Sequence, residues 1–288
     1  MRDYGSFEIE LADAVATIKL LPAKIAYALT PPADAHLEIP SVIEELRIED
    51  GIRVIVLTGA YDGEFLVPPA VDYFSSPDAE RRLADPYGAW RFGQGIVRCF
   101  NAMTECEKPI IAKVNGDAIG FGQSLMFGTD LILAREDAII SDVHMGKGDV
   151  QTSSGRHVGP AYGLAPGDGA GGLISLFMTP TQAKEYMMLC TSPKASELAE
   201  ARIINRAVPA DQLDAVTDDF VQRLLSRSAF ALAWTKRILN RRVSHHINMT
   251  MDASVVYQQL NIAQVKQLGF DHDPTSLSRP SAPQRQDV

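Results

Sequence analysis

KPIIAKVNGDAIGFGQSLMFGTDLILA, from Lys108 to Ala134, is the stretch that decides the fold. Pro109 breaks whatever precedes it, Ile110 to Val114 is an apolar run of buried-strand length, and Asn115-Gly116 begins a turn. Ile119 to Phe127 reads as a helix entered through Gly120 and Gly122, and Leu131 to Ala134 as another short strand. The chain continues through DAIISDVHMGKGDV (137–150), where Ala138 to Ser141 is one more strand, and closes on GLAPGDGAGG (163–172). Two glycine-bearing turns therefore flank short apolar strands and a helix, and almost all the chemically legible residues fall between them.

Upstream, SFEIELADAVATIKL (6–20) alternates apolar and polar residues around Ala12-Asp13, the pattern of a hairpin with one buried face. Prolines 22, 31 and 32 mark a loop, and Ile39 to Ile48 reads as a helix started by Pro40-Ser41. Ile52 to Thr58 is a β-branched run expected to be covered on both faces. YDGEFLVPPAVDYF (61–74) reads as a loop, because Pro68-Pro69 cannot extend a strand. Apolar residues at Ile96, Val97, Phe100 and Met103 then predict a long amphipathic helix from Pro86 to Cys106.

Downstream, residues 143–166 hold five glycines with no clear period and read as a long loop, a length usually associated with function. The remainder reads as helices over 171–178, 181–190, 195–201, 211–226, 229–241 and 252–268, then a proline- and serine-bearing tail. We expect a catalytic core over 1–205 and a C-terminal helical region with a flexible tail over 206–288.

Composition excludes several classes. The chain has 288 residues, 46% of them hydrophobic, enough for a full core. A net charge of −9 argues against a nucleic-acid partner, and the cations Lys236, Arg237, Arg241 and Arg242 share one predicted helix, expected to be a solvated or subunit-facing surface. Neither a leader nor an eighteen-residue apolar run is present, so the expectation is a cytoplasmic protein with no membrane span. Cys99, Cys106 and Cys190 lack metal-ligand spacing, and His245-His246 has no carboxylate or cysteine at ligand spacing; no metal is expected.

KPIIAKVNGDAIGFG, a small-residue strand, PGDGAGG and a following helix, with IRVIVLTG upstream, resemble the crotonase (enoyl-CoA hydratase/isomerase) superfamily from about residue 8 to residue 265. The resemblance implies an α/β fold of ββα turns wound into a spiral, with C-terminal helices that build homotrimers or dimers of trimers. It also implies two backbone N–H groups holding a developing enolate, which map by position onto Val67 and Phe121. Unpaired N–H groups at a helix start suit that task.

Hydratases of this superfamily deliver water with two glutamates, and those positions map onto Ser124 and His144, neither a carboxylate. Segments 21–24 (LPAK) and 27–29 (YAL) also lack the arginine and asparagine with which members of the family cover CoA. His144 with Asp168 of PGDG is instead similar to the β-diketone hydrolase (6-oxocamphor hydrolase-like) branch. There a carboxylate orients imidazole and imidazole activates water.

The resemblance thus implies CoA-independent hydrolytic C–C cleavage of a β-diketone, with a small-molecule carbonyl substrate and no cofactor. The alternatives are an enoyl-CoA hydratase/isomerase acting on an acyl-CoA and a catalytically silent homologue with a binding role. His144 and Asp168 lie 24 residues apart, and the intervening loop carries His157, a rival base. Ser124, Gln123 and Trp90 are further candidates for substrate contact, and Asp142 and Asp149 lie close enough in sequence to orient His144, though acidic loop residues are usually only solvated.

Overall fold

The structure, a computed structural model, describes residues 4–21, 35–71 and 86–269. The proline loop at 22–34, Tyr73 and the C-terminal tail lie outside the described residues. The chain begins as a hairpin, β1 (Phe7–Ala12) and β2 (Val15–Leu20), followed by helix α1 (Ala35–Ile48). Three strand pairs follow in which the first strand joins a main sheet and the second a small one. These are β3 (Val54–Gly59) with β4 (Gly63–Leu66), β5 (Ile110–Val114) with β6 (Gly116–Ile119), and β7 (Leu131–Arg135) with β8 (Ile140–Ser141). Helix α2 (Pro86–Glu105) follows the first pair and α3 (Phe121–Phe127) the second.

The main sheet has the order β1-β2-β3-β5-β7-β9, closed by β9 (Arg206–Val208), and the small sheet the order β4-β6-β8. From β2 onward every neighbouring pair is parallel, so the chain winds as stacked ββα turns. All six residues of β3 are buried, as a sheet covered on both faces requires. The passage between sheets is tight: a Cβ on Gly116 would lie 1.8 Å from the Gly63 carbonyl carbon, which only glycine permits. Asn115 clamps that corner, accepting from Gly59 N at 2.9 Å and donating to Tyr61 O at 2.8 Å.

Several elements differ from the sequence reading. GEFL pairs as β4 and GDAI as β6, where a loop and a helix start were expected; runs of four residues show too little periodicity to separate strand from turn. Helix α1 begins at Ala35, with Pro40 inside it rather than at its start. Pro40 has no N–H to offer the His36 carbonyl, and Gly95 of α2 packs against that same carbonyl, 3.0 Å from where its Cβ would be.

After residue 169 come α4 (Ala170–Leu173), α5 (Pro180–Met188), α6 (Ala195–Glu200), α7 (Leu213–Leu225) and α8 (Ala229–Leu268). The two expected C-terminal helices are one helix of 40 residues, since neither glycine nor proline interrupts it. Met251, Val255, Gln258 and Ile262 on α8 face the body, while Ile238, Met249, Val256 and Leu260 are exposed.

Lys236, expected at a solvated or subunit-facing surface, is buried. Its Nζ sits 2.7 Å from Asp130 Oδ2 and donates to the Lys108 carbonyl at 2.9 Å, while Asp130 accepts from Ile110 N at 2.7 Å. Burial pushes the Asp130 carboxyl up and Lys236 pulls it back, so α8 is pinned to the start of β5 by a pair that needs both members. Lys236→Met should cost about 3–5 kcal/mol in urea unfolding, and adding Asp130→Asn should restore much of it. Equal stability of the wild type and the single variant would contradict this.

Candidate active site

His144 lies just beyond β8, where the chain enters the long loop, and it is 3% exposed. Its Nδ1 is 3.0 and 3.1 Å from the two carboxylate oxygens of Asp142, and its own backbone N–H donates to Asp142 Oδ1 at 2.8 Å. Its Nε2 lies 3.6 Å from Asp168 Oδ2, longer than a direct hydrogen bond. One imidazole therefore stands between two fully buried carboxylates. The Nδ1 contact fixes the tautomer by donating Nδ1–H to Asp142.

Each carboxylate is held by helix α3. Gln123 donates Nε2–H to Asp142 Oδ2 at 3.3 Å, and its Oε1 accepts from the buried Tyr186 hydroxyl of α5 at 3.1 Å. Ser124 donates to Asp168 Oδ1 at 3.1 Å and accepts from Ala170 N at 3.0 Å. Gln123 and Ser124, read as substrate contacts from sequence, are completely buried and bind the array instead. Asp168 Oδ2 makes no hydrogen bond among the described residues.

Burial works against the imidazolium, but Asp142 and then Asp168 outweigh it, and the His144 pKa is raised to about 9. Burial likewise pushes Asp168 up, opposed by His144. Asp142, His144 and Asp168 also place one potential metal-ligand atom each within 4.8 Å of one another. Nδ1 already faces Asp142, while Nε2 and Asp168 Oδ2 stand 3.6 Å apart with no hydrogen bond between them.

A second feature lies at the start of α3. Gly120 takes φ 61°, which L side chains avoid, and a Cβ on Gly122 would stand 2.1 Å from the Leu66 carbonyl oxygen. That approach brings Val67 beside Phe121. Val67, Phe121, Ile119, Gly122 and His36 line a cavity of about 10 Å³, the size of one water or one carbonyl oxygen. The His36 ring lies 3.8 Å from the Phe121 ring and 4.5 Å from Phe92, centroid to centroid.

His36 escaped the sequence reading because the helix carrying it was started too late. Asp142 was recognised only as a neighbour of His144. Tyr186 lies 63 residues from Gln123, its hydrogen-bond partner, and no local pattern connects them. Two candidates stand elsewhere. Trp90 is 60% exposed on α2 and pairs with Tyr87, ring centroids 5.8 Å apart. His157 is exposed, donating Nδ1–H to the Gly148 carbonyl at 2.8 Å and accepting from Gln151 at 2.6 Å; it contacts the loop and not the array. Asp149 accepts from the Lys147 backbone at 3.1 Å rather than from His144.

Comparison with known proteins agrees with this fold. The chain belongs to the enoyl-CoA hydratase/isomerase family, whose model matches residues 10–270. A crotonyl-CoA hydratase from Syntrophomonas wolfei is 24% identical over 248 residues, 86% of each chain. Among solved structures, an enoyl-CoA hydratase/isomerase from Mycobacterium paratuberculosis superposes with a TM-score of 0.76 at 22% identity, covering 91% of this chain and 95% of that one. A beta-diketone hydrolase from the cyanobacterium Anabaena sp. PCC 7120, bound to (S)-3-oxocyclohexyl acetic acid, gives 0.74 at 16% identity, covering 91% and 96%. At these identities the solved structures establish the fold alone.

The raised His144 pKa has a direct consequence for stability. The native state holds this proton more tightly than the unfolded chain, so the contribution is full below pH 6.5 and is lost as pH rises through about 9. The urea midpoint of the wild type should fall across that window, and His144→Gln should flatten the curve. Identical pH dependence in both proteins would contradict the assignment.

Proposed function

We propose that the protein is an enolate-stabilising enzyme that hydrolyses a C–C bond of a β-diketone without CoA. The observation that carries this reading is the Asp142–His144–Asp168 array, in which His144 occupies one of the two positions that the family resemblance assigns to a hydratase glutamate. A water lodged beside Nε2 and the open Asp168 Oδ2 is the nucleophile. It attacks one ketone carbon and gives a proton to Nε2 of neutral His144. The tetrahedral adduct collapses, breaking the C–C bond, and the bond pair leaves as the enolate of the other ketone.

The enolate oxygen sits in the small cavity, facing the backbone N–H groups of Val67 and Phe121. One such donor lowers a barrier by about 3–4 kcal/mol. The imidazolium returns its proton to the enolate carbon. A cyclic substrate yields one keto acid, and water is the only co-reactant. Asp142 keeps Nδ1–H pointed away from the reaction and stabilises the imidazolium in between. His36, on the cavity wall, is suited to contact the same oxygen.

The second reading is hydration or isomerisation of an acyl-CoA, favoured by the names of relatives such as the crotonyl-CoA hydratase and a short-chain-enoyl-CoA hydratase from Clostridium acetobutylicum. A panel of cyclic 1,3-diketones beside crotonyl-CoA separates the two. The diketones should release a carboxylate, and His144→Ala should lower kcat by about a hundredfold or more. Because the base must be neutral, kcat/KM should climb with pH toward about 9. Turnover of crotonyl-CoA with every diketone untouched, or a profile already flat at neutral pH, would overturn the proposal.

A further inference from the structure

The long loop after His144 is strapped to the segment that carries Val67. Val158 forms an isolated antiparallel bridge with Ala70, and Gly159 N donates to the Pro69 carbonyl at 3.3 Å. Arg156 Nη2 reaches Glu64 Oε2 of β4 at 3.2 Å. The backbone N–H and the hydroxyl of Ser153 both donate to Asp117 Oδ2 of β6, at 2.7 and 2.9 Å, while Asp117 Oδ1 accepts from Ile139 N at 2.9 Å. The loop is thus tied to both strands of the small sheet that lead into the cavity.

Packing adds to the ties. Val67 belongs to a separate apolar cluster with Ile119, Val143, Val150 and Val158. Val150 and Val158 come from the loop and are 4% and 1% exposed, and Val143 is the residue before His144. The loop also braces itself. Val158 N donates to the Val150 carbonyl at 3.0 Å, and His157 bridges Gly148 and Gln151. The side chain of Val67 therefore rests on residues of the loop.

We propose that Val158 and Arg156 are positioning residues, which hold the Val67 backbone N–H at the cavity through the packed cluster and the Glu64 ion pair. The role of that N–H in binding the enolate rests on the functional reading above; the brace itself does not. Rigid placement matters because a donor helps only when it is already aimed at the developing charge. The loop is accordingly a fixed strut of the site and not a closing lid.

Two measurements separate the brace from the reaction. Hydrogen exchange of the Val67, Ala70 and Val71 amides should quicken by about tenfold or more in Val158→Ala while exchange in β3 and β5 stays at the wild-type rate. Arg156→Ala, a change at a side chain 43% exposed, should show the same local effect more weakly, and Arg156→Lys should restore it. On a turned-over diketone, Val158→Ala should lower kcat about tenfold with KM within about twofold and leave the pH profile in place. Unchanged exchange at 67–71 in both variants would overturn the proposal. Quickened local exchange in a protein that turns over no diketone would sustain the brace and defeat the functional reading.

Discussion

The structure depends on one interaction: an imidazole held between two buried carboxylates. Burying three ionisable groups is costly unless each meets a partner of the right charge and geometry. Here the partners come from separate parts of the chain. Asp142 follows β8, Asp168 precedes α4, and α3 supplies the side chains that fix both. Helix α8 lies over the Asp168 segment, where a Cβ on Gly167 would meet Gln258 at 2.6 Å and Asn261 accepts from Ala165 N at 2.7 Å. The small sheet, α3 and α8 must all be in place before the array closes.

That dependence ties chemistry to fold. The parallel winding brings the end of β4 against the start of α3, and the same helix that offers Phe121 at its first residue offers Gln123 and Ser124 two and three residues later. Under the proposed function, enolate binding and proton transfer would share one short helix. On that proposal, the oxygen-sized cavity and the high-pKa imidazole would be the two halves of an acid–base site for a carbanion.

Much of the architecture was legible in the sequence because it rests on local pattern. The hairpin alternates, β3 and β5 are β-branched runs, and α2 has clear helical spacing. The four-residue strands β4 and β6 and the join within α8 were not legible, since four residues carry no period and a polar stretch without glycine or proline leaves a helix free to continue. In the site, the family resemblance mapped a donor onto Phe121 and, through the missing glutamates, drew attention to His144 and Asp168, which the structure brings within 3.6 Å of each other. What stayed hidden was set by tertiary contact. Asp142 reads as a solvated loop acid until β8 buries it, Lys236 as a surface cation until Asp130 is found beneath it, and His36 as a loop residue until α1 is extended to reach Phe121.

The central claim concerns the protonation of one ring. Nitrogen-15 NMR of imidazole-labelled protein, with His144 assigned through His144→Gln, reads it directly. The account predicts a titration near pH 9, with both ring nitrogens protonated at neutral pH and Nδ1–H retained in the neutral form. A His144 that is neutral at pH 7 and titrates at or below its ordinary value of 6.5 would contradict it.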